Sequence, residues 1–276
     1  MDTIQRMSMR SGLRVERSCD PINAEQKMVD EENAKEGTLK YLNCPKCKNK
    51  GFIYHLGENG VICAEVCECQ SKRDSIERIK KSGLETLMKD YTFDLYQDKE
   101  PWQKAIKEKA RAYLDDNYKK WFYIGGQVGC GKTFICTAIT TELINRGKQA
   151  VYMLWRDEIV KIKEAAKGDE DSNLQDILEK YKNADVLYID DLFKTGKDKM
   201  NNLVKPSVAD INYAFEIINY RYNNPKLLTI ISSELSEEEL LDIDEAIGGR
   251  IYERAKTFTI AKNRDRNYRI RKAVTI

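Results

Sequence analysis

The sequence predicts an α/β fold, a central parallel sheet flanked by helices, with a small cysteine-bearing hairpin module ahead of it. Three observations predict this. Short apolar runs at 121–124, 149–155, 186–189 and 227–231 alternate with longer segments whose apolar residues recur at helical spacing, as in parallel strands joined by crossover helices. Between the first such strand and the first such helix lies Gly126-Gln127-Val128-Gly129-Cys130-Gly131-Lys132-Thr133, which fits the G-x-x-x-x-G-K-[ST] pattern. Upstream, the pairs Cys44/Cys47 and Cys67/Cys69 bracket two strand-like runs joined by a turn signal.

A chain of 276 residues can bury the core of one α/β domain and still carry a smaller appendage. Its formal charge of +2 gives no global field that would gather nucleic acid or membrane, so any such contact is local. With 33% charged residues and no apolar run near the length of a membrane span, it reads as soluble and cytoplasmic, with no membrane partner. The start spaces Arg6, Arg10, Arg14 and Arg17 as an organelle transit peptide does, but Asp2 and Glu16 argue mildly against one, and there is no apolar signal core. Eight cysteines in a cytoplasmic chain point to metal or redox chemistry rather than disulfides.

Residues 1–40 are polar and mixed in charge, and are expected to be a flexible segment or to form short helices that order on a partner. Residues 41–90 are read as a zinc-binding domain with a linker helix. Asn59-Gly60 between the runs 51–56 and 61–66 is a strong hairpin signal, and a hairpin brings the two cysteine pairs together. Four thiolates so gathered form the closed tetrahedral set that holds structural Zn²⁺, and metal binding supplies folding energy that a small module lacks. The second pair has only one intervening residue, which leaves Cys63 and His55 as substitutes for one ligand. An iron-sulfur cluster or bare thiols are the alternatives. Cys19, Cys130 and Cys136 read as ordinary small residues, with Cys130 open to oxidation through its place in the glycine loop.

Residues 91–276 are read as one nucleotide-binding domain. Glycines let the loop backbone curl around phosphates, and the helix beginning near Phe134 presents its positive end to the same anion. Lys132 is then placed for the β- and γ-phosphates of ATP, and Thr133 for Mg²⁺. The run 186–189 ends in Asp190-Asp191, a Walker B pattern, with Asp190 for the metal and Asp191 for orienting water. Ser207 with Asp210 marks a helix start whose stripe is Ile211, Phe215, Ile218 and Tyr222. The strand 227–231 leads into Ser232, Ser233 and Glu234, where a γ-phosphate sensor would sit. An acidic helix is expected over 235–247, followed by Gly248-Gly249-Arg250-Ile251-Tyr252-Glu253-Arg254. The tail from Lys262 to Lys272 is basic, suited either to nucleic acid or to a solvated edge strand.

With these motifs in this order, the chain from about Tyr91 onward resembles the AAA+ ATPases of the DnaC/DnaI helicase-loader family, whose core the IstB transposition ATPases share. Cys44-Pro45-Lys46-Cys47, the hairpin, Cys67-Glu68-Cys69, Ser82-Gly83-Leu84 and Tyr91-Thr92-Phe93 resemble the start of DnaI-type and phage-encoded loaders. The resemblance implies an AAA+ P-loop NTPase that binds the hexameric replicative DNA helicase through its N-terminal domain and places it on single-stranded DNA. It implies self-association in the ATP-bound state, with Arg250 donated in trans as an arginine finger, and Arg254 as second choice. Asp190-Asp191 in place of Asp-Glu, and Glu234 where Asn is expected, imply slow hydrolysis. The chain ends soon after Lys272, so no C-terminal lid domain is expected. Two other readings stand: a transposase-helper ATPase of IstB type, and a nucleotide-gated nucleic-acid-binding module with little hydrolysis.

Overall fold

The chain folds back into an antiparallel hairpin of β1 (Phe52–Leu56) and β2 (Ile62–Val66), with Phe52 opposite Val66 and Leu56 opposite Ile62. This computed structural model describes residues 21–40, 42–58, 60–81, 85–115, 121–168, 171–196 and 204–270. The arginine-spaced start, Cys19, Asn59, the Ser82-Gly83-Leu84 signature, and Arg271 with Lys272 lie outside them. Two compact units divide the chain, Met1–Cys69 and Gln70–Ile276. In the first, α1 (Pro21–Ala34) occupies part of the stretch expected to be flexible or briefly helical. It packs on β1, burying Val29, while Asn33 accepts from the Tyr54 N–H at 3.0 Å and donates to the Tyr54 carbonyl at 2.7 Å.

In the second unit, α2 (Cys69–Lys81) and α3 (Glu85–Asp90) occupy the expected linker helix, and α4 (Pro101–Asp115) opens on its proline. The sheet comprises β3 (Trp121–Gly126), β4 (Ala150–Leu154), β5 (Val186–Leu192), β6 (Leu228–Ser233) and β7 (Ala255–Ile260) in the order β4-β5-β6-β3-β7, all parallel. Alternate residues of each strand face opposite layers. Phe122, Ile124, Tyr152, Tyr188 and Ile230 pack toward α4 and α5 (Lys132–Asn145). Trp121, Tyr123, Met153, Leu187, Ile189 and Ile231 pack toward α6 (Trp155–Ala165), α7 (Asp171–Lys182), α8 (Val208–Tyr222), α9 (Glu237–Ile243) and α10 (Glu245–Arg254). Cover on both faces is why β3 to β6 read as continuous apolar runs.

Three expectations are corrected. The edge strand is β7, over 255–260, not the basic tail; its partly exposed, mixed residues hid it. The acidic helix is two helices, because Asp244 leaves helical geometry and its side chain caps α10 by accepting from the Ile247 N–H at 2.8 Å. In α8, the Ser207/Asp210 capping box forms and the stripe Ile211, Phe215, Ile218 and Tyr222 packs on the core as predicted, but the most deeply buried face is Asp210, Ala214, Ile217, Ile218 and Arg221. A fully buried arginine reads as a polar position and shifts the apparent stripe. Among the described residues no helix is long and apolar enough to cross a membrane.

Candidate nucleotide and metal sites

The loop after β3 is held in shape by left-handed glycines. Gly126, with φ 95°, donates its N–H to the Leu235 carbonyl at 3.1 Å, and a Cβ there would stand 2.1 Å from the Ile260 carbonyl oxygen. A Cβ on Gly129, with φ 69°, would stand 2.2 Å from Asn267 Oδ1. Any side chain would therefore both strain the backbone and collide with packed neighbours. The loop ends at Gly131, from which α5 starts with its first N–H groups turned toward the loop.

Lys132 is buried and its Nζ donates to the carbonyls of Gly126 at 2.9 Å and Gln127 at 2.6 Å, across the loop's mouth. Burial pulls its pKa below the ordinary lysine value. Thr133 Oγ1 lies 3.2 Å from Asp190 Oδ1, so the last loop residue and the end of β5 meet although 57 positions separate them. Asp190 is fixed at both oxygens: Oδ1 also accepts from Ser232, and Oδ2 accepts from the Tyr152 hydroxyl at 3.0 Å. Burial raises the Asp190 pKa, which makes it a site that gains from a cation. The hydroxyl and carboxylate oxygens of Thr133 and Asp190 fit the hard-oxygen preference of Mg²⁺.

Asp191 diverges from Asp190 because β5 slips register between Ile189 and Leu192 and Asp191 takes a left-handed φ of 57°. It turns into a cleft of about 340 Å³ bounded by Val128 to Phe134, Lys194, Glu234, Tyr268 and Arg269. Its opposite wall is aromatic, with Phe134 stacked on Tyr91 at 4.5 Å between ring centroids and edge-on to Tyr96 at 5.3 Å. The segment after β7 lies over the glycine loop. Tyr268 donates its N–H to the Gly129 carbonyl at 2.9 Å, its hydroxyl meets Gln103, and Asn263 donates its N–H to Gln127 Oε1 at 2.7 Å.

The structure therefore brings together the loop, Lys132, Thr133, Asp190, Asp191 and Glu234. It does not bring Ser233, Arg250 or Arg254 to them. Ser233 is fully buried and its hydroxyl donates to the Leu192 carbonyl at 2.8 Å, tying β6 to β5, so it is unsuited to sensing a phosphate. Arg250 donates to Asn219 Oδ1 at 3.0 Å and lies over the rings of Phe215 and Tyr222 on the α8/α10 layer. Arg254 donates to the Tyr222 carbonyl at 3.0 Å on the same layer. Neither pairs with Glu253, which accepts from the Tyr222 hydroxyl. Glu234 pairs with a lysine: Lys194 Nζ is 2.9 Å away. Cys130 is buried and donates to the Gln127 carbonyl at 2.9 Å; burial raises its pKa, the opposite of an oxidation-prone thiol. Sequence reasoning missed Tyr152, Lys194, Tyr268 and the aromatic wall, because no local pattern marks a residue whose role comes from packing; Ser232, named at the sensor position, donates to Asp190 instead.

In the first unit the sulfurs of Cys44, Cys47, Cys67 and Cys69 all lie within 4.8 Å of one another and the four residues are buried. Cys44 and Cys67 are 3.8 Å apart at sulfur, and Cys47 and Cys69 are 3.5 Å apart. A tetrahedral zinc with Zn–S near 2.3 Å requires sulfur separations of roughly 3.8 Å, so the set fits that ion and is too open for disulfides. The knuckle is shaped by left-handed Lys48, Asn49 and Gly51, and the Gly51 N–H donates to Cys47 Sγ at 3.4 Å. Cys63 stands outside the cluster with its thiol toward the Val61 carbonyl, and His55 is exposed. With only one intervening residue in the second pair, Cys69 still comes within 3.5 Å of Cys47 at sulfur.

A family model described as IstB-like ATP binding protein matches residues 62–271. The phage-like element PBSX protein XkdC of Bacillus subtilis is 26% identical over 89% of this chain and 92% of its own length. The replicative helicase loader DnaI of Bacillus subtilis is 25% identical over 78% of this chain and 72% of its own. The replicative helicase loader DnaC of Escherichia coli is 26% identical over 55% of this chain and 63% of its own. Among solved structures, the DnaC helicase loader superposes with a TM-score of 0.53 at 23% identity, covering 63% of this chain and 98% of that one. A DnaI structure gives 0.51 at 20%, covering 63% and 93%. At these identities the superpositions speak to the fold, which is that of AAA+ P-loop proteins.

Proposed function

The chain belongs to the IstB-like ATP-binding family, and from that premise we propose that it is an ATP-hydrolysing helicase loader, which binds the hexameric replicative DNA helicase and places it on single-stranded DNA. The observation that carries the reading is the joining, in one chain, of the Thr133/Asp190 cleft to a four-cysteine hairpin, with similarity to DnaI running through most of both proteins.

In this reading Thr133 and Asp190 hold Mg²⁺, which when bound neutralises phosphate charge, and Lys132 leaves the loop carbonyls for the phosphates. Asp191 orients the attacking water. The glycine loop binds through its N–H groups and Phe134 closes the aromatic wall. Arg250, on a surface remote from its own cleft, serves the cleft of a neighbouring subunit, so turnover depends on self-association. Residues 41–90 form the zinc-bearing docking domain and 91–276 the ATPase.

The purified chain is expected to carry one Zn²⁺. Cys47→Ser should release it and unfold the hairpin unit, since the metal supplies folding energy of order 10 kcal/mol in small zinc modules. Metal analysis and the ATPase rate check this together: zinc falls below about a tenth of an equivalent while turnover persists. A metal-free wild-type chain with an intact hairpin would remove the metal centre.

Affinity capture of the full-length tagged chain from its own host's lysate, with and without ATP, tests the loader reading. Recovery of a hexameric replicative helicase that is lost in Cys47→Ser supports it. The family model's own description favours a second reading, an IstB-type transposase helper, and recovery of a transposase would move the assignment there. Nucleic acid recovered with no protein partner would favour the nucleotide-gated binding module.

A further inference from the structure

We infer that Lys194 is a positioning residue of the nucleotide cleft, whose ammonium offsets half of the charge of the two carboxylates facing a terminal phosphate and so lets the cleft prefer a triphosphate over a diphosphate. This rests on the nucleotide-binding reading above and adds a selectivity to it.

The geometry is specific. Lys194 stands three residues beyond Asp191, in a turn where Asp191 and Phe193 both take a left-handed φ of 57°. Neither is glycine, so the conformation costs energy that its surroundings must offset. The turn is closed by the Lys194 N–H donating to the Asp191 carbonyl at 2.9 Å. It brings Lys194 Nζ to 2.7 Å from Asp191 Oδ2 and 2.9 Å from Glu234 Oε1. One ammonium thus joins the end of β5 to the residue that follows β6, and all three side chains bound the cleft that contains Lys132.

The three are 32%, 21% and 24% exposed at their side chains, so water screens them less than a surface pair. Burial works against the charge on Lys194, but its hydrogen bonds to Asp191 and Glu234 outweigh that and raise its pKa. With Lys194 neutralised, two carboxylates face incoming phosphate with their counter-charge gone. A triphosphate presents one more phosphoryl group than a diphosphate, and its repulsion from that pair is correspondingly greater.

The test is titration of full-length protein with ADP and with a non-hydrolysable ATP analogue, comparing wild type, Lys194→Ala, Lys194→Arg and Lys194→Ala/Glu234→Gln. Lys194→Ala should weaken the triphosphate about tenfold more than the diphosphate, the size of losing one partly screened charge contact. Lys194→Arg should stay near wild type, and Glu234→Gln in the Lys194→Ala background should restore most of the loss. If Lys194→Ala fails to fold, Lys194→Gln takes its place. Equal weakening of both nucleotides, no weakening, or absence of rescue would overturn the inference while leaving the nucleotide site standing. A wild-type chain that binds neither nucleotide would overturn the ATP reading and this inference together.

Discussion

Lys132→Ala is expected to lower ATP turnover by at least about 100-fold, the typical cost of removing one preorganised charge stabiliser from a phosphoryl-transfer site. Lys132 is the buried cation at the mouth of a loop whose backbone N–H groups already favour an anion, and its Nζ bridges two loop carbonyls that a phosphate would displace. Alanine removes the charge and both hydrogen bonds, so nucleotide affinity should fall with the rate. Steady-state hydrolysis and direct ATP titration check the two effects separately, with a melting curve to confirm that the loop still folds. A rate within threefold of wild type would remove Lys132, and with it the loop, from the chemistry.

Arg221→Met should lower stability by roughly 3–5 kcal/mol, the range for breaking a buried charged network by removing one member. Arg221 is fully buried, yet among the described residues no carboxylate accepts from it. Its NH1 donates to the carbonyls of Tyr181, Lys182 and Ala184 at 2.8 to 2.9 Å, its Nε donates to Thr229 Oγ1 at 3.0 Å, and its NH2 donates to the Leu228 carbonyl. Those carbonyls close the C-terminal end of α7 and the start of β6, where a helix leaves its last acceptors unpaired and a cation is favoured. Burial pulls the arginine pKa down to about 9, so the group is still charged near neutrality. Methionine fills much of the volume and satisfies none of the acceptors, each of which then bears a desolvation cost. Chemical denaturation measures the change, expected as a fall of about 10 °C in melting temperature for a domain of this size. A loss under 1 kcal/mol would mean that water replaces the guanidinium.

The nucleotide site divides cleanly between what was legible and what was not. The glycine loop with Lys132 and Thr133 is a contiguous pattern bound to its own strand and helix, so eight residues are enough to find it. Asp190 was readable because it ends an apolar strand. Tyr152 and Lys194 act on those residues from another strand and a turn, and nothing near them in sequence records it. Ser233 was the reverse case. Its neighbours made it a sensor candidate, but the pleat of β6 turns its hydroxyl onto the Leu192 carbonyl.

Local chemistry was legible in the residues alone: the phosphate loop, the strand that ends in two aspartates, the hairpin turn and the cysteines it joins. Each depends on contacts between near neighbours or on a turn that only certain residues make. Folding in three dimensions selected which of five cysteines form the tetrad, and made β7 rather than the basic tail complete the sheet. It also decided that Asp191 and Glu234 share Lys194, and that an arginine rather than an apolar residue fills the core end of α8. These depend on residues far apart in the chain meeting under close packing, where one register slip or one left-handed residue redirects a side chain.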